Sequence, residues 1–197
     1  MRVEPFLDGD DVRRVTPRVR RVVGRGGVVV IPTETFYGLG ACPRVSGGVD
    51  RVFGLKARPR GMPLPVLCAD WAQVESLVEV PPAYRVRLSR SWPGPLTVVL
   101  PLLEPVAAAP GGTLAVRIPG HDLLRSLLYL VGPLTGTSAN RHGAAPSTEA
   151  PTAAGSLEGE PDVVLDSGTL PGGLPSTLVD LTGPEPRVLR TGSVSWT

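Results

Sequence analysis

The apolar positions change period several times along the chain, and each change marks a candidate element. Val12, Val15, Val19, Val22 and Val23 recur at helical spacing, while Arg13, Arg14, Arg18, Arg20, Arg21 and Arg25 fill the remaining faces. This pattern predicts an opening helix over 8–26, with Pro17 either kinking it or delaying its start. The Gly26-Gly27 pair ends the helix, and the run Val28 to Ile31 reads as a buried strand. A polar loop follows over 32–38, then a short helix over 50–56 carrying Val52, Phe53 and Leu55. Residues 63–67 read as a strand, 71–80 and 82–90 as helical stretches, and 96–100 and 114–118 as strands. Leu123, Leu124, Leu127, Leu128 and Leu130 give the segment 121–130 an apolar helical face. A strand starts at 134 and runs to 137, a Ser/Ala-rich helix covers 148–157, and β runs at 162–166, 176–181 and 187–190 close the chain. Alternating strands and helices with strands crowded at the end imply one α/β domain over 1–197. Its sheet should be twisted, with mixed parallel and antiparallel pairing and flanking helices.

Composition narrows the class. A chain of 197 residues, 42% of them hydrophobic, buries enough surface to fold without disulfides or a structural metal. The 24 Gly and 23 Pro are spread along the chain and imply many tight turns. No window approaches 18 apolar residues, so no membrane span is expected. The acidic opening MRVEPFLDGDD has no apolar core of a signal peptide. Cys42 and Cys68 form no C-x-x-C pair, and a reducing cytoplasm is the expected location. A net charge of +2 is too small to argue for nucleic-acid binding, and the basic face of the first helix reads as a solvated surface.

Nineteen of the twenty basic residues are arginine, and the exception is Lys56. A compact ammonium approaches one phosphate oxygen as a point charge, which a planar fork does not, so chance and a specific chemical requirement compete here. The common nucleotide signals are missing. There is no G-x-x-x-x-G-K-[ST] run, and Gly38-Leu39-Gly40-Ala41-Cys42-Pro43 places proline where a dinucleotide fingerprint needs its third glycine. His121 and His142 lack metal-ligand spacing.

Any ligand must therefore be held by separated loops, and four stand out. Thr33, Thr35 and Tyr37 follow a strand and offer hydroxyls, although taken alone they fit an ordinary Ser/Thr turn better. Lys56, Arg58 and Arg60 crowd a helix end before Pro63, where they either satisfy the helix dipole or hold a polyphosphate. Arg117 interrupts an apolar strand at its C-terminal end, a place suited to gripping a carboxylate. Gly136-Thr137-Ser138-Ala139-Asn140 offers small polar groups at a strand end. Ser147 and Thr148 lie just beyond, where a helix cap is the alternative.

Taken together these loops resemble the YrdC family of L-threonylcarbamoyladenylate synthases. The matching stretches are PTETFYGLGA (32–41), LKARPRGMPLPVL (55–67), WPGPLTVVL (92–100), LAVRIPGH (114–121), TSAN (137–140), PST (146–148), PSTLVD (175–180) and VLRTG (188–192). The resemblance implies a YrdC-like domain with a ligand cavity on a concave face. It implies a reaction of threonine, bicarbonate and ATP, with Mg²⁺, to threonylcarbamoyl-AMP and pyrophosphate. A downstream threonylcarbamoyl transferase would then modify tRNA. On this reading Thr35, Arg117 and Ser176 hold threonine. Lys56, Arg58, Thr113, Ser138, Asn140, Ser147 and Arg190 contact ATP or the adenylate, with Gly136 offering backbone. Lys56 and Arg58 would stabilise charge on the departing pyrophosphate. The protein ligands of Mg²⁺ stay unassigned, Glu34 and Asp180 being the acids considered. Met62 stands where many members of that family carry a polar or basic residue and Leu67 where some carry histidine, so those contacts are expected to be lost or relocated, with Arg60 the candidate. Two rival readings remain: a tRNA- or double-stranded RNA-binding module, and a carbamoyl-adenylate enzyme acting on another amine.

Overall fold

The computed structural model describes residues 1–196. Eleven strands form two sheets. The first contains β1 (Arg2–Pro5), β9 (Val163–Asp166), β2 (Val29–Ile31), β3 (Gly38–Gly40) and β8 (Thr137–Ser138), in that order. The second runs β11 (Arg187–Arg190), β10 (Thr177–Asp180), β5 (Leu96–Pro101), β6 (Thr113–Arg117), β4 (Val66–Leu67) and β7 (Leu134–Thr135). Both mix parallel and antiparallel neighbours: β1, β9 and β2 are parallel, while β3 is antiparallel to both β2 and β8. The mixed α/β architecture expected from the order of elements is therefore present, distributed over two sheets.

The strand alternation explains why two sheets form. Val28, Val30 and Val164 point to one side of the first sheet, and Val29, Ile31, Val163 and Leu165 to the other. The second group packs beneath α1 (Gly9–Gly24) and α5 (Asp122–Val131), whose Val12, Val15, Val19, Leu124, Leu127 and Leu128 are buried there. The first group shares a core with the second sheet, through Leu96, Val98, Leu114 and Val116. α2 (Ser46–Leu55) adds Val52 and Phe53 to that core, and α6 (Ala150–Gly155) adds Ala153. Two shorter helices, α3 (Trp71–Glu75) and α4 (Pro82–Ser91), complete the fold. Pro17 lies inside α1 without ending it. Several arginines of that helix are taken up in ion pairs: Arg14 and Arg18 reach the buried Glu4, and Arg13 reaches Asp10.

Two local features position the residues of interest. At the end of α2, Ala57 N–H donates to Gly54 O and Arg58 N–H to Phe53 O, both at 3.0 Å. These are the paired closing bonds of a Schellman turn, with Ala57 at φ 47° where glycine is usual. The second feature is the crossing from β7 to β8, which carries the chain from one sheet to the other through Gly136. Its N–H donates to Pro65 O at 2.8 Å. A Cβ built on it would lie 2.3 Å from Leu67 Cγ, inside the core. Thr135 fastens the crossing: its hydroxyl donates to Leu39 O and accepts from Ala41 N–H, both at 2.9 Å.

Two substitutions of opposite sign test this local account by chemical denaturation. Gly136→Ala should lower stability by about 1–3 kcal/mol, the cost of overpacking a core. Ala57→Gly should raise it by about 0.5–1 kcal/mol, because relief of the left-handed alanine outweighs the extra chain entropy of glycine. A neutral Gly136→Ala or a destabilising Ala57→Gly would contradict it.

Candidate active site

Lys56 caps α2 and turns inward. Its Nζ donates to Ser138 O at 2.5 Å and to Asn140 O at 2.8 Å, and the residue is only 3% exposed. Burial, and after it the charge of Arg58, pulls its pKa down to about 8. The carbonyl acceptors favour the ammonium, so Lys56 is a cation at neutral pH with one donor left over. Its folded pKa lies below the ordinary 10.5, so the unfolded chain binds more protons between about 8 and 10.5. The buried charge therefore costs stability at neutral pH, and that cost is relieved as pH rises across the interval.

Arg58 leaves the same turn. Its guanidinium donates to Pro63 O at 3.2 Å and reaches Thr137 Oγ1 at 3.5 Å, while Nε is buried without a hydrogen-bond partner. Burial lowers its pKa. The Asn140 amide donates to Arg141 O and Ala144 O, holding its own loop, and its Oδ1 is buried and unpartnered. Lys56, Arg58, Ser138 and Asn140 thus form one cluster. Arg60 does not join it. Its side chain is exposed and leans toward Asp50 at 3.7 Å, away from the part expected of it.

A second cluster gathers at the C-terminal end of β6. Arg117 is buried; its Nε donates to Gly94 O at 3.1 Å, and Nη2 lies 2.5 Å from Glu34 Oε1. The same oxygen accepts Gly120 N–H at 2.8 Å. Arg117 Nη2 and Glu34 Oε2 are both buried with no aligned hydrogen bond, so the two groups are held by charge rather than by a saturated fork. Register brings the third group beside this one, since Leu178 of β10 pairs with both Thr97 and Arg190. Ser176 Oγ lies 2.9 Å from Thr97 Oγ1 and accepts from Arg190 Nη2 at 3.0 Å. Desolvation, and then the charge of Arg117, lowers the Arg190 pKa, which marks the two guanidiniums as neighbours. A strap over 191–196 steadies this exposed edge. Thr177 Oγ1 accepts Gly192 N–H and Val194 N–H, and the Trp196 ring lies 4.2 Å from the Arg87 guanidinium.

The loop over 32–37 connects the clusters. Thr33 Oγ1 accepts the N–H of Thr35 and of Phe36, both at 3.2 Å, and lies 3.2 Å from Thr35 Oγ1. Glu34 carries the loop to Arg117. Tyr37 N–H donates to Ser147 O, and Ala139 N–H to Tyr37 O at 2.8 Å, which joins the loop to the segment that holds Lys56. The Ser147 hydroxyl itself is folded back on Glu149. Thr113 begins β6, four residues from Arg117 and so about 13 Å along the strand, at its opposite end. Asp180 is committed elsewhere: its carboxylate accepts from Thr182 and Arg187 at the far end of β10, which removes it as a metal contact of this site. Among the described residues, no three His, Cys, Asp or Glu side chains gather as a metal site. Two surface depressions, one beside Asp70 and Tyr129 and one beside Val3 and Leu157, are lined by none of the expected residues.

Sequence reasoning missed Thr97, which lies in an apolar run and carries no signal. It also weighed Glu34 only as a metal contact, whereas the fold gives it Arg117. That partnership joins residues far apart in the chain and becomes visible only once β6 and the loop over 32–37 meet.

Comparison with known proteins identifies the family and the fold. The Sua5/YciO/YrdC family model, described as "Telomere recombination", matches residues 21–192. A relative from Chromobacterium violaceum named threonylcarbamoyl-AMP synthase is 38% identical over 196 residues, covering 94% of this chain and 96% of its own. The crystal structure of Pyrococcus abyssi Sua5 complexed with L-threonine superposes with a TM-score of 0.88 at 34% identity. That match covers 98% of this chain but only 58% of the Pyrococcus protein. The Escherichia coli YciO structure gives a TM-score of 0.84 at 25% identity, covering 97% and 94% of the two chains. With the family model matching most of its length, the chain belongs to the Sua5/YciO/YrdC family.

Proposed function

We propose that this protein is a threonylcarbamoyl-AMP synthase, converting L-threonine, bicarbonate and Mg²⁺-bound ATP to threonylcarbamoyl-AMP and pyrophosphate for tRNA modification. The observation that carries the reading is the pairing of two cationic clusters through one loop: Lys56 with Arg58, and Arg117 with Arg190. A triphosphate beside a carboxylate is the ligand set such an arrangement fits. Relatives that carry the synthase name, and one structure holding L-threonine, support the same choice.

In this reading Arg117 takes the α-carboxylate of threonine, and Thr35 and Ser176 surround its side chain. The spare Lys56 donor and the Arg58 guanidinium meet the phosphates. Ser138, Asn140, Ser147, Arg190 and the Gly136 backbone border the adenylate, and Thr113 marks its distal limit. A carbamate oxygen attacks the α-phosphorus, the bond to the bridging oxygen breaks, and pyrophosphate leaves with its charge facing Lys56, Arg58 and Mg²⁺. The protein's part is positioning and charge neutralisation, with no covalent nucleophile required. Mg²⁺ arrives with the nucleotide, which fits a site whose nearby acid, Glu34, is already engaged. The product is a mixed anhydride, so a transferase acting on the tRNA acceptor would consume it.

Pyrophosphate release that needs both threonine and bicarbonate, measured over a panel of amino acids, is the primary test. Salt-sensitive tRNA binding without that release would favour the RNA-module reading. Lys56→Ala should lower turnover at least ~10²-fold, the scale for removing one preorganised charge contact. Near-native turnover would refute its role. Binding of MgATP alone, followed by calorimetry, should weaken as pH rises through about 8, where Lys56 loses its proton. Lys56→Gln, which keeps two donors for the carbonyls but does not titrate, should abolish that dependence, and an unchanged profile would count against the contact.

A further inference from the structure

Resting on the reading that Arg117 receives the threonine carboxylate, we propose that Glu34 receives the α-ammonium of the same amino acid and takes its proton. Three observations point there. Glu34 is the counter-ion of Arg117, with Oε1 2.5 Å from Nη2. Its Oε1 is also anchored by the Gly120 N–H, which fixes the carboxylate at the end of β6 whatever Arg117 does. Its other oxygen, Oε2, is buried with no hydrogen-bond partner, as is Arg117 Nη2. A buried carboxylate oxygen without a donor is costly, and its natural complement is a cationic donor.

A zwitterionic amino acid supplies what both orphans lack. Its carboxylate takes the unused donor capacity of Arg117 Nη2, and the ammonium on the adjacent carbon meets Glu34 Oε2, while Oε1 keeps the Gly120 N–H. The result is an alternating row of charges: carboxylate, Arg117, Glu34 and ammonium. One ammonium proton then moves to Glu34 and leaves a neutral amine. The amine nitrogen attacks the bicarbonate carbon, a C–N bond forms, and the C–OH bond breaks. The departing hydroxide takes the second amine proton and leaves as water, so the carbamate carries one negative charge. The other charged or titratable groups near Glu34 are His121 and Asp122, at the start of α5, and Arg190 beyond Arg117. Burial lowers the His121 pKa, so it stays neutral through the range used below.

The test compares the native protein with Glu34→Gln and Glu34→Asp. Glutamine keeps an oxygen for the Gly120 N–H but loses the charge. Two ligands are titrated by calorimetry: L-threonine and 2,3-dihydroxybutanoate, which lacks the ammonium. Glu34→Gln should bind threonine at least ~10-fold more weakly, the scale of a lost charged hydrogen bond. It should bind the amine-free acid at least as tightly as the native protein does, since no neighbouring carboxylate then competes for Arg117, and that retained binding doubles as the folding control. At saturating ATP and pH 7, pyrophosphate release by Glu34→Gln should fall ~10²-fold, the scale of general-base loss. That deficit should shrink steadily toward pH 9.5, as solvent deprotonates the amine instead. Glu34→Asp, which retains a carboxylate, should keep the native pH profile. Equal losses for both ligands, no loss for either, or a deficit that stays constant with pH would overturn the proposal. A native protein without threonine-dependent release would instead sink the synthase reading itself.

Discussion

A buried ammonium holds this site together. Lys56 gives two of its three donors to the carbonyl oxygens of Ser138 and Asn140, and so binds the end of α2 to the strand that crosses between the sheets. That crossing segment carries the polar groups expected to meet a nucleotide. A guanidinium would be too broad for two carbonyls spaced within one short loop while still leaving a donor outward. The lone lysine of the sequence thus stands where the fold itself needs a compact cation.

The electrostatic design follows from setting each buried cation, Lys56 and Arg117, beside a second cation that is less buried, Arg58 and Arg190. Desolvation, and after it the charge of Arg58, lowers the Lys56 pKa, and desolvation, then the charge of Arg117, lowers that of Arg190, so part of each shift is like-charge repulsion. Of the four, Arg117 alone has an acidic partner in contact among the described residues, Glu34. A dianionic or polyanionic ligand relieves both repulsions at once, and in a low-dielectric setting that relief is larger than surface charges would give. The loop over 32–37 links the two pairs, because its backbone bonds to the Lys56 segment while Glu34 reaches the Arg117 end.

Much of the scaffold was legible in the chain. The valine period of α1, the leucine face of α5 and the apolar runs of β2, β5 and β6 all appear within a few residues of their expected bounds. Two strands were not. β3 is Gly38-Leu39-Gly40, a composition that reads as a turn and becomes a strand only because β2 and β8 flank it; the small residues let Thr137 O approach Gly38 closely. β1 is short and half polar, and its pairing with β9 spans nearly the whole chain. The split into two sheets was likewise invisible, since it depends on the turn at Gly136, where a missing side chain rather than a present one allows the crossing. At the site, motif order located the loops, but not which atoms they spend on each other. Lys56 facing carbonyls, Asn140 holding its own loop and Arg60 turning to solvent are tertiary outcomes that local sequence does not encode.

The central claim is that the clusters at Lys56 and Arg117 form one continuous ligand site, and co-crystallisation with L-threonine and a non-hydrolysable ATP analogue tests it directly. The account requires the amino-acid carboxylate on Arg117 and the phosphates against Lys56 and Arg58, in one connected density bordered by the loop over 32–37. Ligands seated instead in the depression beside Asp70 and Tyr129, or bound at Arg117 and Lys56 in unconnected places, would contradict it.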